Sequence, residues 1–164
     1  MSAKNRATLF ALEHRIAGIS RSMNEITFNT MAAIIQRVDE LSPVGDASYW
    51  KQPNKAPKGY RGGQFRGNWQ LGVNEIPMGD LPGRIDPTGI ETVAGNIAKI
   101  PQMASRGYKF YLVNNLPYAL GIEQGTVSPR QSPPHALMYR AKREFNGIVN
   151  KVIADVKAHG GRTK

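Results

Sequence analysis

The sequence predicts an α+β fold, with long N-terminal and C-terminal helices packed on a small antiparallel or mixed sheet and long basic loops between them. Three observations point to it. Apolar residues recur at steps of three and four before the first proline, Pro43, and again after Pro134. Two short central stretches alternate with a period of two, and Gly- and Pro-rich segments separate all of these.

Leu9, Leu12, Ile16, Ile19 and Met23 form one helical stripe, and Met31, Ile34, Ile35, Val38 and Leu41 form a second. The polar, β-branched run Ile26-Thr27-Phe28-Asn29-Thr30 between them allows either one long helix or two consecutive ones. Ser42-Pro43 ends the pattern, because proline lacks an N–H and restricts the residue before it. Residues 44 to 64 form an extended basic loop of about twenty residues, a length that favours a functional or an unstructured segment.

Phe65, Gly67, Trp69, Leu71 and Val73 then fall on one face of an expected strand, with Arg66, Asn68, Gln70 and Gly72 on the other. Asp86-Pro87 offers an N-cap and a proline at the first helical position for a short helix ending at Pro101. Tyr108 to Val113 is a second expected strand, apolar or aromatic on both faces and hence expected to be central in the sheet. Tyr118 to Gly125 fits a helical turn or a strand. After the Pro-rich loop 126 to 134, Ser132 and Pro133 are placed to start a closing helix that carries Leu137, Ala141, Phe145, Ile148, Val152 and Val156. Gly160-Gly161 stops it before a basic tail, which makes residues 159 to 164 an expected flexible end of a single domain spanning 1 to 164.

The net charge of +10 draws the chain toward nucleic acid or acidic protein surfaces. No apolar run is long enough to cross a membrane, the N-terminus does not read as a signal peptide, and there is no cysteine. Synthesis in a cytoplasm is expected. His14, His135 and His159 lie far apart without the i, i+4 spacing of metal ligands, and Glu123 has no second acid or histidine near it. The glycines from Gly59 to Gly67 match no phosphate-loop spacing and precede a strand rather than a helix. No catalytic, metal or cofactor-binding residue is expected.

Lys51, Lys55, Lys58, Arg61 and Arg66, interleaved with Tyr49, Trp50, Tyr60 and Phe65, read instead as a basic arm for contact with a neighbouring subunit or with DNA. Arg130 in the second loop joins this set of candidates.

Three segments resemble the tail-completion or neck proteins of long-tailed bacteriophages, a family also described as minor tail or head-tail joining proteins. They are Ser42-Pro-Val-Gly45 with Gly63-Gln-Phe-Arg-Gly-Asn-Trp-Gln70, then Tyr111-Leu-Val-Asn-Asn-Leu-Pro-Tyr-Ala-Leu-Gly-Ile-Glu-Gln-Gly125, and the closing helix with Ala136-Leu-Met138 and Glu144-Phe145. The middle segment is the most specific. Two departures fall in loops: a long insertion between Val44 and Gln64, and Ser128-Pro-Arg-Gln-Ser-Pro-Pro134. The resemblance implies a non-enzymatic virion protein, made in the host cytoplasm, that completes the head-proximal end of the tail as a homo-oligomeric, commonly hexameric, ring around the DNA channel. It implies other neck and tail proteins as partners, with non-specific DNA contact in the channel and no membrane. Trp69, Asn114, Asn115, Tyr118 and Glu123 are then the expected fold or interface anchors, Glu123 through a charge pair with an arginine. Tyr118 and Leu120 are expected to fill the base of the long helices. A tail terminator or tube protein, or a free basic nucleic-acid-binding protein, are the alternative readings.

Overall fold

The structure, a computed structural model, describes residues 3–49, 52–55, 58, 61–126 and 135–159. It is α+β, as the apolar periodicities require: helix α1 (Ala3–Leu41), helical turn α2 (Gln64–Gly67), strand β1 (Trp69–Val73), helix α3 (Ile90–Ile97), strand β2 (Phe110–Asn114), helix α4 (Ala119–Gln124) and helix α5 (Leu137–His159). Two single 3-10 turns, Ala47–Tyr49 and Pro53–Lys55, punctuate the long basic connection.

The β-branched run at Ile26 to Thr30 does not break α1, which is one continuous helix of 39 residues. Thr27 turns its hydroxyl back onto the Met23 carbonyl at 2.9 Å, so the side chain that competes with helix geometry is satisfied inside it. Leu137 at the start of α5 packs in one cluster with Val38 and Leu41, and Glu144 about two turns later pairs with Arg37. α5 therefore runs back antiparallel along α1. At 1.5 Å per residue α1 is about 58 Å long and the 23-residue α5 about 35 Å, so the first half of α1 extends past the end of its partner.

β1 and β2 pair antiparallel with Trp69 opposite Asn114 and Val73 opposite Phe110. Among the described residues these two strands are the whole sheet, so β2 is not central as its two-sided apolar pattern implied. Its residues are all half-buried, covered by packing against helices rather than by a further strand. The expected first strand also begins later. Phe65 and Trp69 lie four residues apart across α2 and the strand start, with their rings edge-to-face at 5.8 Å. Gly63 sets up this turn with φ 110°, a conformation open to glycine.

One apolar cluster joins Val38, Leu41, Phe65, Trp69, Leu116 and Leu137, tying α1, α2, β1 and α5 together. A second, made of Ile35, Leu71, Ile100 and Ala104, lies next to it along the same face of the ribbon, since Trp69 and Leu71 are two residues apart on β1 and Leu112 packs against both clusters. Tyr118 packs against the first cluster, whereas Leu120 is 65% exposed and does not fill the base of the helices. α4 is short, and only one of its faces meets the core.

Leu137→Ala is expected to destabilise the fold by about 2–5 kcal/mol in urea denaturation, since its side chain is fully buried in the first cluster. Leu120→Ala is expected to stay within about 0.5 kcal/mol of the parent.

Candidate functional site: a stitched sheet edge and a buried charge knot

A two-stranded ribbon leaves one strand edge of β1 without a partner, and the structure closes it with side chains. Asn96 of α3 accepts the Leu71 N–H at 2.9 Å and donates to the Trp69 carbonyl at 2.8 Å, imitating a neighbouring strand. The segment after β1 is held in the same way. Asn68 accepts the Leu81 N–H at 2.7 Å and donates to the Gln64 and Leu81 carbonyls, and Gln70 donates to the Gly79 carbonyl. Asn115 donates to the carbonyls of Pro77 and Gly79. Asn114 donates to the Phe65 carbonyl at 2.8 Å and accepts the Leu116 N–H, which terminates β2. These amides supply both donor and acceptor, which is what an irregular backbone requires.

Behind this edge lies a knot of charges. Asp86 accepts four hydrogen bonds, from the Thr88 hydroxyl, the Gly89 N–H, and the N–H and hydroxyl of Thr92. It organises the start of α3, but from farther upstream than expected: the helix begins at Ile90, with Pro87 outside it. Burial alone would raise its pKa, yet the combined hydrogen bonds from Thr92, Thr88 and Gly89 hold it below the ordinary carboxylate range. Gly89, at φ 77°, leaves room for Asp39, because a Cβ there would overlap the Asp39 carboxylate.

Asp39 is buried and faces Arg66, with Oδ1 and Nε 3.7 Å apart, too long for a hydrogen bond. Among the described residues neither of these two atoms has a hydrogen-bond partner. Burial pushes Asp39 up to about 6, against the opposing pull of the Arg66 charge. Arg66 also donates to the Pro87 carbonyl at 2.8 Å and to the Ser42 carbonyl at 2.9 Å. Ser42 in turn donates its hydroxyl to the Val38 carbonyl and accepts the Trp69 indole N–H at 2.7 Å. The knot thus locks the C-terminus of α1 to α2, β1 and the start of α3.

This placement changes the reading of Arg66, whose guanidinium is spent inside the fold and is not an arm for DNA or a neighbour. Lys55, Lys58 and Arg61 are exposed, while Lys51 and Arg130 lie outside the described residues. Trp69 is a buried anchor, and Tyr118 donates its hydroxyl to the Gln64 side chain at 3.1 Å. Glu123 meets no arginine among the described residues. Its carboxylate accepts the N–H groups of Leu137 and Met138 at 2.7 and 3.1 Å, capping the first turn of α5 where unpaired donors and the helix dipole favour a negative charge. Ser132 and Pro133, expected to start that helix, lie outside the described residues. On the outer surface Arg37 grips Glu144 through two nitrogens and Glu40 through a third contact, raising the arginine's affinity for its proton and lowering that of Glu144.

Asp39, Thr92 and Asn96 have no role that the sequence pattern predicts, and Asp86 was expected only as the N-cap of the short helix. Only the Asp-Pro-Thr-Gly run at 86 to 89 carries a local turn signal. Among the described residues no group of three or more acids and histidines is placed to hold a metal, and no helix is long and apolar enough to cross a membrane. Comparison of the chain with protein-family models, curated proteins and solved structures returns no match.

Because Asp39 binds its proton more tightly folded than unfolded, its contribution to stability is full below pH about 4 and is lost as pH rises through about 6. Stability measured by denaturation across this window is expected to fall by up to about 3 kcal/mol on this account. Asp39→Asn is expected to flatten that part of the profile. Asn96→Ala, which strips two buried backbone groups of their partner, is expected to cost about 2–4 kcal/mol by the same measurement.

Proposed function

We propose that the chain is a structural virion protein of a tailed bacteriophage that completes the head-proximal end of the tail, joining it to the head as a homo-oligomeric ring around the DNA channel. The observation that carries this reading is the use made of the Tyr111 to Gly125 segment, the most specific part of the resemblance. Asn114 ends β2 on the Phe65 carbonyl, Asn115 holds the loop at Pro77 to Gly79, Tyr118 reaches Gln64, and Glu123 caps α5. Every one of these residues holds backbone or packing in place, as the parts of a scaffold do.

The surface supports the same reading. Lys55, Lys58 and Arg61 stand exposed on the connection between α1 and α2, where they are available to a neighbouring subunit or to DNA phosphates. A ring repeats one heterologous contact, and such a connection is suited to reach across it. Other neck and tail proteins are the expected partners, with the particle as the location.

Native mass spectrometry of the purified chain and labelling of intact tailed particles test this proposal together. A ring mass, with label confined to the neck, is the expected result. Label along the tube would favour a terminator or tube role. A monomer absent from particles, binding DNA with a steep salt dependence, would favour a free nucleic-acid-binding protein. Replacing Lys55, Lys58 and Arg61 together by glutamine is expected to weaken ring assembly without moving the thermal midpoint.

A further inference from the structure

We infer that the projecting first half of α1 is a docking helix for a second copy of this chain, through the stripe Leu9, Leu12, Ile16, Ile19 and Met23. Every described residue from Asn5 to Ala17 is exposed, including the apolar ones. The stripe residues are between 41% (Leu9) and 61% (Ile19) exposed, although they make up a continuous apolar face. Their steps of three, four, three and four repeat every seven residues, which is the spacing of a helix-on-helix seam. A helix that only needed to stay dissolved would carry polar residues there.

Among the described residues the body of the molecule does not cover this stripe. α5 is too short to cover it, and the nearest tie from the rest of the fold is Asn24, which accepts from the Ser105 N–H and hydroxyl. From that point toward the C-terminus α1 is clamped to the core, and before it the stripe residues are exposed.

Area selects the occupant. From the fractional exposures, the five residues offer on the order of 500 Å² per copy, half of the roughly 1,000 Å² that a specific interface needs in total. A partner has to contribute an equally apolar strip of similar length, and an identical stripe on a second copy does so. The charges flanking the stripe are few, Glu13 and Arg15, which leaves it open to close approach. Two bodies that each carry a net charge of +10 repel one another, so association through an apolar seam should tighten as salt screens that repulsion. A contact with DNA or with an acidic protein would weaken instead.

The inference does not rest on the ring reading, whose contacts run through the basic connection between α1 and α2. Sedimentation equilibrium of the full chain at low and high salt tests it, alongside Ile16→Lys and Ile19→Lys. With the ring contact removed by the glutamine replacements at Lys55, Lys58 and Arg61, the expected result is a concentration-dependent species of twice 18.1 kDa that grows with salt and is lost when either lysine change is added, while helical circular dichroism is retained. Ile16→Cys, in a chain that has no cysteine, is expected to form an intermolecular disulfide on mild oxidation, and Ala11→Cys on the opposite face is not. A parent chain that stays monomeric at every concentration and salt would overturn the inference. So would a species of twice the chain mass that survives both lysine variants, or equal cross-linking at positions 11 and 16. Loss of the ring in the glutamine triple variant with the seam dimer intact would show the two contacts to be separate.

Discussion

The open edge of β1 is the constraint on which the rest of the structure depends. Two strands of five residues cannot hold themselves together in water, because half of their backbone groups face outward. Asn96 removes that difficulty by pairing Leu71 and Trp69 from the side, which fixes α3 against the ribbon. Once α3 is fixed, Asp86 must sit beneath its first turn, and Asp39 of α1 must fit against Gly89. The long helix is therefore aligned by the sheet edge through a chain of short polar contacts, and the two apolar clusters, both drawing on α1 and β1, fill the space between them.

Arg66 shows how such a chain settles the fate of an individual side chain. Its sequence context, between glycines in a basic stretch, is that of a solvent-facing cation. In the fold it reaches two carbonyls from different segments and balances a buried carboxylate, so removing it would strand Asp39. Glu123 underwent a similar change of role. An acid isolated among uncharged neighbours suggested an arginine partner, and the partner turned out to be the unpaired N–H groups of a helix start.

What the sequence made legible was periodic. The stripes through Val38 and Leu41 and through Val152 and Val156 gave α1 and α5 because buried faces must repeat with the helix. The alternation at Trp69 to Val73 and at Phe110 to Val113 gave the strands for the same reason, although it ran too far back over Phe65, where an i, i+4 aromatic pair imitates a period of two. α1 is continuous across Thr27 despite its low local propensity, with the Thr27 hydroxyl bonded within the helix. Side-chain-to-backbone contacts such as Asn96 to Trp69, or Asp39 beside Gly89, join residues far apart in the chain and leave no periodic trace. Those contacts are where the candidate site lies, so most of it was hidden.

Hydrogen exchange at the Leu71 amide tests the account most directly, because that N–H has a side chain as its acceptor. If the Asn96 bridge is the element around which the fold is organised, this amide exchanges only through global unfolding, as slowly as the core of α5. Exchange at the rate of the loop amides around Met78 would mean that the edge opens by itself, and the alignment of α1 would need another cause.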